Sequence, residues 1–247
     1  MPFNLRTAAI SAVFLGSLAF GLAAMPQAAA QETPSEETEL GPIFLLSLGG
    51  KLYDDLWSIL DISPPATRNP PLEDVTSIDT RDTWRCVTCH GWDYSGAELG
   101  GKKFPSLRDL TDQDAVKRRL RDPAHPFPAD NLSDIAIDLL ALFVTSGQYD
   151  RSALISETGH ALGNPEFGRD IFEGACISCH QLDGRAFLRG EKGRATLGSI
   201  ARDQPEKALH RILNGVPAAE MLSLRFLSDI QIADILAYLQ TLDAGDN

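Results

Sequence analysis

The 247-residue sequence is poor in sulfur-containing residues and in basic ones. It has four cysteines and three methionines, and two of those methionines, Met1 and Met25, fall within the first thirty residues. Lys and Arg together number 22 against 34 Asp and Glu, which gives a formal net charge of −12. This acidic balance argues against binding to nucleic acid or to anionic membrane surfaces, and it favours basic docking partners.

Long apolar runs are confined to the N-terminus. Thr7 to Ala24 is apolar, follows the early positive charge of Arg6 and precedes three alanines at 28–30. This layout predicts a signal peptide over residues 1–30, with an uncleaved membrane anchor as the alternative. No later stretch is long and apolar enough to span a bilayer, so we expect an exported, soluble protein of a bacterial periplasm.

The four cysteines fall into two copies of a C-x-x-C-H motif, 86–90 and 176–180. Two thiols three residues apart on a helical turn can each add to a vinyl group of one haem, and the next histidine then faces the iron. Two disulfides, a thioredoxin-like pair and a zinc site fit this spacing less well. We therefore predict two covalently bound haem c groups, attached through Cys86 and Cys89 and through Cys176 and Cys179, with His90 and His180 as iron ligands.

Each motif is followed by the same order of elements. A helical stretch comes first, around residues 115–120 and 205–213, and a loop follows it. Ser133 and Ser228 then fit the N-caps of two final helices, whose apolar residues recur at helical spacing. We expect these residues to form core faces: Ile137, Leu140, Ala141 and Val144 in one helix, and Ile232, Ile235, Leu236 and Leu239 in the other.

A short helix over 166–172 is predicted to lead into Cys176, and the pair Gly168 and Phe172 would let it pack closely against the final helix. No such helix is obvious directly before Cys86. Residues 79–85 are polar except for Trp84. The start of the first copy is therefore expected to be unusual.

The motifs, the order of elements and the loops resemble the class I cytochrome c fold, present twice over about residues 80–247. The resemblance implies an all-α chain with tandem domains at 80–150 and 165–247, each wrapped round one haem. A linker at 151–164 would join them, and an N-terminal extension at 31–79 would precede them. The chain is similar in this respect to tandem two-haem c-type cytochromes of bacterial respiratory chains.

A six-coordinate haem needs a second axial ligand, and the resemblance places a methionine on the loop before the final helix. Met221 is the one methionine beyond the signal, and it lies six residues before Leu227. We predict that it ligates the second iron, where a thioether raises the potential. The alternative is a methionine that fills a gap in the core.

The first copy has no methionine to offer. His125 lies seven residues before Leu132, at almost the same offset, in a loop that Pro123, Pro126 and Pro128 stiffen. We predict that His125 ligates the first iron, which would give bis-histidine ligation and a lower potential. The alternative is an exposed loop histidine beside an open or water-bound iron.

The two remaining histidines are expected to face solvent. His160 lies in the linker, and His210 is placed on the outer face of its helix. Ligation of the first iron by either one is the alternative.

The segment before the first copy does not match the repeat. Residues 31–39 are acidic and indicate a mobile tether. Residues 42–60 are apolar, with a predicted break at Gly49 and Gly50 and helical spacing afterwards, and residues 63–71 should be extended. The apolar part could dock a partner or another copy, with self-association through residues 40–60. It could instead cover the first domain and replace its missing leading helix, which is the alternative we favour.

Three classes of function remain. An electron carrier would pass electrons between redox protein partners, possibly a membrane or periplasmic oxidoreductase, and needs no catalytic residue. A haem enzyme of peroxidase-like type would need an open first iron. An electron-transfer subunit or assembly protein would use the N-terminal segment to join a complex. No motif suggests a nucleophile, a flavin, a nucleotide or a second metal, so the carrier is the leading hypothesis.

Overall fold

A computed structural model describes residues 41–125, 127, 132–186 and 195–243. The predicted signal peptide and acidic tether lie outside these residues. The described chain is mostly helical, in partial agreement with the all-α prediction, with 3-10 turns at Pro70–Leu72 and Asp82–Trp84 and a small antiparallel hairpin of β1 (Glu98–Leu99) and β2 (Lys102–Lys103). The α-helices are α1 (Pro42–Leu60), α2 (Cys86–His90), α3 (Gln113–Arg121), α4 (Asp134–Ser146), α5 (Arg151–Leu154), α6 (Pro165–Ala175), α7 (Ile177–His180), α8 (Leu197–Asp203), α9 (Pro205–Asn214) and α10 (Asp229–Thr241).

The two final helices, α4 and α10, begin at the predicted serines. The Ser133 hydroxyl accepts a hydrogen bond from the backbone N–H of Ala136, and Ser228 forms a full capping box with Gln231. A side-chain oxygen at this position satisfies a backbone donor that the first helical turn leaves without a partner. The predicted apolar stripes of both helices are buried, so their assignment to core faces is confirmed.

Helix α6 crosses α10 at very close range. A Cβ atom on Gly168 would overlap the backbone of Asp234 and the side chain of Tyr238. One turn later, Phe172 is buried with its ring centroid 5.2 Å from that of Tyr238. Gly168 therefore allows the backbone contact and Phe172 fills the space beside it, as the sequence predicted.

Helix α1 packs across α4 in the same way. A Cβ on Gly49 would overlap the backbone of Leu139 and the side chain of Phe143, and the rings of Tyr53 and Phe143 lie 5.5 Å apart. Leu139 and Phe143 correspond to Asp234 and Tyr238 when the two final helices are aligned at their first residues. Helix α1 thus supplies the leading helix that was not obvious before Cys86, which agrees with the covering role.

The predicted break in α1 at Gly49 and Gly50 is wrong. The helix runs through both glycines, because they lie against neighbouring helices that a side chain would displace. The chain instead departs from helical geometry at Asp55, with φ −154° and ψ 88°. The Asp55 carboxylate there accepts a hydrogen bond from the Ser58 hydroxyl at 2.7 Å and pairs with Arg81 at 2.8 Å.

The buried apolar residues form two cores within one compact unit. The first combines α1 with Trp84, Val87, Tyr94 and α4, so α1 shares a core with the residues around the first motif. The second combines Leu154 and Ile155 with α6, α9 and α10. Tyr149 packs against both cores. None of the helices that the structure describes is long and apolar enough to cross a membrane.

Candidate haem-binding sites

The first C-x-x-C-H motif forms helix α2 at the wall of a cavity of about 440 Å³. Cys86, Cys89 and His90 all line this cavity. Burial and the neighbouring Cys89 raise the pKa of the Cys86 thiol to about 12, and burial raises that of Cys89 to about 11. A thioredoxin-like pair needs a thiol whose pKa is lowered, so this environment argues against that alternative.

His90, the predicted proximal ligand of the first motif, has a fixed tautomer. The Nδ1 atom of His90 lies 2.9 Å from the carbonyl oxygen of Pro105. A carbonyl only accepts, so Nδ1 carries the proton and Nε2 keeps the lone pair that a metal needs. Burial also lowers the pKa of His90, which favours the neutral, metal-binding form.

The predicted distal ligand lines the same cavity as the motif. The backbone N–H of His125 donates to the carbonyl oxygen of Asp122 at 2.8 Å, and its ring lies 6.2 Å from that of Phe127. Phe127 in turn stacks on Trp57 at 5.6 Å, so the loop is anchored to α1. Of the three prolines predicted to stiffen the loop, Pro126 and Pro128 lie outside the described residues.

The His125 ring is neutral, and one of its nitrogens is available to bind a metal. Burial, followed by electrostatic repulsion from the neighbouring His90 and Arg119, lowers its pKa to about 4. Its Nδ1 is buried without a hydrogen-bond partner among the residues that the structure describes. Buried polar atoms normally find a partner, so an orphaned imidazole nitrogen beside this cavity suits a ligand that the cavity would receive.

The rest of the cavity wall suits a haem. Most of it is apolar, as the faces of a porphyrin require. Arg85 and Arg119 also line the cavity, where Arg85 pairs with Asp54 and Arg119 with Asp122, and Asn69 and Thr83 add polar atoms. The apolar wall consists mainly of Phe104, Leu107, Leu110, Val116, Leu120 and Leu140.

Sequence reasoning missed the contribution of α1 and of residues 69–83 to this wall. Tyr53, Asn69 and Pro71 line the cavity, although they precede the predicted first domain at 80–150, and Thr83, near the start of that domain, lines it as well. One signal was available. Gly49 and Tyr53 have the same spacing as Gly168 and Phe172, which marks a second helix able to pack closely through a glycine.

The second motif is more open than the first. Cys176 comes directly before α7, half-buried like His180, whereas Cys179 is exposed. Cys176 packs against the second core, and burial lowers the pKa of His180. These residues lie on one helical turn, which is the geometry that attachment to a single haem needs.

Met221 lies half-buried on the loop between α9 and α10. Two hydrogen bonds tie the following residues to α9: the Leu224 N–H donates to Ile212 at 3.0 Å, and the Ser223 hydroxyl donates to Leu213 at 2.5 Å. Leu224 also packs against the second core, as Cys176 does. The placement of the Met221 sulfur opposite His180 stays a prediction.

The two other histidines have different outcomes. His160 is exposed, as expected. The expectation that His210 faces solvent is wrong: its side chain is 0% exposed and contacts Tyr94 and α1. The charged residues beside His210 favour a solvent-facing surface of α9, but one of them, Arg211, pairs with the buried Asp54 at 3.1 Å.

Residues 166–243 match the family model of cytochrome c. The match spans α6 to α10 and contains the second motif and Met221, so this part of the chain is similar to a cytochrome c domain, a kind of domain that binds haem c covalently. No curated protein matches the chain.

Proposed function

We propose that the chain is a two-haem c-type cytochrome that transfers electrons between redox partners. The observation that carries this proposal is the first cavity, which gathers Cys86, Cys89, His90 and His125 around one largely apolar space. The family match supports a haem at the second motif. A haem at the first motif goes beyond the family match, and its proposal is based on the geometry of the first cavity.

The packing of α1 on α4 supports a second cytochrome c domain around the first motif. Gly49 and Tyr53 meet α4 at the positions where Gly168 and Phe172 meet α10. The region that the family model matches and the region around residues 42–146 thus have the same glycine-mediated contact between a leading and a final helix. We infer that both regions are built for the same cofactor.

Haem iron, when bound, supplies one-electron exchange between its ferric and ferrous states. The protein's part is to hold it, choose its axial ligands and limit access of water. His90 and His125 offer two imidazole nitrogens, which favour ferric iron, whereas His180 and Met221 offer a thioether that favours ferrous iron. We therefore propose that electrons pass from a donor to the first site and come to rest at the second before reaching an acceptor.

The partners and location belong to the same proposal. An exported chain with a net charge of −12 suits a periplasmic carrier that docks on basic surfaces of a donor and an acceptor, such as respiratory oxidoreductases. Self-association through residues 40–60 would have to use the start of α1. Ile43 and Phe44 are 46% and 53% exposed, while Leu52, Tyr53, Leu56 and Trp57 are buried. Sedimentation of the mature protein at several concentrations tests this.

Counting haems tests the proposal. Haem per chain would be measured by the pyridine haemochrome spectrum and by intact mass, in the parent protein and in two double variants. We expect two haems in the parent, one in Cys86→Ser/Cys89→Ser and one in Cys176→Ser/Cys179→Ser. A single haem in the parent, with no loss in the first double variant, would overturn the two-haem proposal and leave only a one-haem cytochrome c domain.

A further inference from the structure

His210 lies on α9, in the region that matches the cytochrome c family, yet its ring is fully buried against the region of the first motif. Its Nε2 lies 2.9 Å from the carbonyl oxygen of Gly50, and its Nδ1 lies 3.1 Å from the hydroxyl of Tyr94. Because a carbonyl only accepts, Nε2 is the donor, and Nδ1 accepts from the Tyr94 hydroxyl. One neutral imidazole thus joins the second region to two elements of the first.

The contact with Tyr94 leads directly to the proximal ligand of the first site. Tyr94 is buried, and its carbonyl oxygen accepts from the N–H of Leu107 at 2.8 Å and from the hydroxyl of Ser106 at 3.2 Å. The preceding residue, Pro105, provides the carbonyl that accepts the proton of His90 Nδ1 at 2.9 Å. Tyr94 therefore holds the short segment that orients His90.

The contact of His210 with Gly50 also connects it to His90, through helix α1. Gly50 is so close to α9 that a Cβ would overlap the side chain of Asn214. Tyr53, one turn along α1, lies 5.7 Å from the ring of His210 and donates its hydroxyl to the carbonyl of Gly91 at 2.7 Å. Gly91 directly follows His90, so α1 fixes the end of the helix that carries this ligand.

Charged groups surround this connection without replacing it. Asp54 is 0% exposed and pairs with both Arg85 and Arg211, so it ties α1 to α2 and to α9. Arg225 donates to Asn214 and to the carbonyl of Gly147. The buried position between Gly50 and Tyr94 needs a side chain that donates one hydrogen bond and accepts another without adding a charge. A neutral histidine meets this requirement.

We propose that His210 is a positioning residue for His90, holding the first site's proximal ligand from within the second region. The inference rests on the proposed function, because it takes the first site to bind haem. A hydrogen bond from Nδ1 to a fixed carbonyl orients a ligating imidazole and makes it more basic, which favours ferric iron. Loosening that bond is therefore expected to raise the potential of the first haem and to leave the second unchanged.

The test compares His210→Leu with His210→Gln in the full two-haem protein. Leucine fills the space but can form neither hydrogen bond, whereas glutamine offers one donor and one acceptor. His160→Leu is the matched control, since His160 is exposed and bonds to Thr158 within its own loop. The readouts are the midpoint potential of each haem and the paramagnetically shifted NMR signals of the His90 ring.

His210→Leu is expected to raise the midpoint potential of the first haem and to shift the NMR signals of His90. His210→Gln should restore both in large part, and His160→Leu should change neither. Equal shifts at both haems, or no shift at the first, would overturn the proposal. If His210→Leu does not fold, Tyr94→Phe removes only the hydroxyl that donates to His210. An unchanged first potential in that variant overturns the proposal as well.

Failure of the proposed function gives a different result. It would appear in the parent protein, as one haem per chain rather than two, before any change at His210. With two haems present and His210→Leu without effect on the first, the two-haem function stands and only the positioning role falls.

Discussion

The two motif regions reach the same helix packing from different positions along the chain. Gly168 precedes Cys176 by eight residues, whereas Gly49 precedes Cys86 by 37. The longer connection in the first region carries Asn69, Pro71 and Thr83, which line the first cavity. Both regions therefore have the same close contact between a leading and a final helix, although the number of residues between the contact glycine and the motif differs greatly.

The regions also differ in how the loops that carry His125 and Met221 are held. Phe127, two residues after His125, stacks on Trp57 of α1. The loop of Met221 is tied by hydrogen bonds to α9, the helix directly before it. The first site thus depends on a helix distant in sequence, and the second on a neighbouring one, so changes in α1 should affect the first site selectively.

The largest effect is expected from Trp57→Ala. Trp57 is buried, donates to the carbonyl of Trp84 at 2.9 Å and supports Phe127, so its loss should lower the free energy of unfolding by about 4 kcal/mol. Phe172→Ala should cost a similar amount in the second core, since large aromatic truncations cost about 3–5 kcal/mol. Urea unfolding measures both.

Cyanide binding then separates the two variants. Trp57→Ala should speed binding at the first iron by loosening the loop of His125, and Phe172→Ala should not. Equal cyanide rates in the two variants would contradict the assigned role of α1.

A pH dependence of similar size is expected from His210. Burial lowers its pKa from 6.5 to about 4, so the unfolded chain binds more protons between these values and stability falls as the pH drops through this window. The full loss of unfolding free energy should be about 3.5 kcal/mol, since each pKa unit corresponds to about 1.4 kcal/mol. Urea unfolding at pH 7 and pH 4 should show this loss shrink in His210→Gln and persist in His160→Gln. An unchanged slope in His210→Gln would show that another group is responsible.

A smaller effect is expected from alanine at the two packing glycines. Gly49→Ala and Gly168→Ala should each lower the free energy of unfolding by about 2 kcal/mol, because a Cβ overlaps the facing helix backbone. Gly174→Ala on α6 is the matched control, since a Cβ there meets no atom within 4 Å. It should be neutral or stabilising by up to about 1 kcal/mol. Thermal or urea unfolding measures these free energies. If Gly49→Ala is as stable as the control Gly174→Ala, α1 and α6 do not have equivalent packing roles.

The smallest effect is expected at the helix N-caps. Ser133→Ala and Ser228→Ala should each cost about 1 kcal/mol. The cost should be greater at Ser228, because its hydroxyl also donates to the Oε1 atom of Gln231 at 3.0 Å and alanine loses that bond as well. Threonine at either position keeps the oxygen and should restore most of the stability. A larger loss at Ser133 would reverse the ranking.

Much of this fold could be predicted because its signals are local. The capping serines, the apolar stripes of α4 and α10 and the packing of Gly168 follow from spacing within one helix. The continuity of α1 through Gly49 and Gly50 could not, because these glycines serve contacts with Leu139 and Asn214, which are distant in sequence.

The sites show the same division. The motif residues could be read directly, and His125 could be placed by its offset from the final helix. The burial of His210 could not, since its charged neighbour Arg211 suggests a solvent face until the buried Asp54 is known to lie opposite. Tertiary partners decide such positions, and one sequence does not state them.

We propose that His90 and His125 together close the first iron to small ligands. Cyanide added to the oxidised holoprotein and carbon monoxide added to the reduced one, followed by the haem absorption bands, test it most directly, with His125→Ala and His160→Ala beside the parent. We expect no rapid change in the parent or in His160→Ala and fast binding at one haem in His125→Ala. Fast binding at the first haem of the parent would contradict it and would make a peroxidase-like or other small-molecule activity the leading hypothesis.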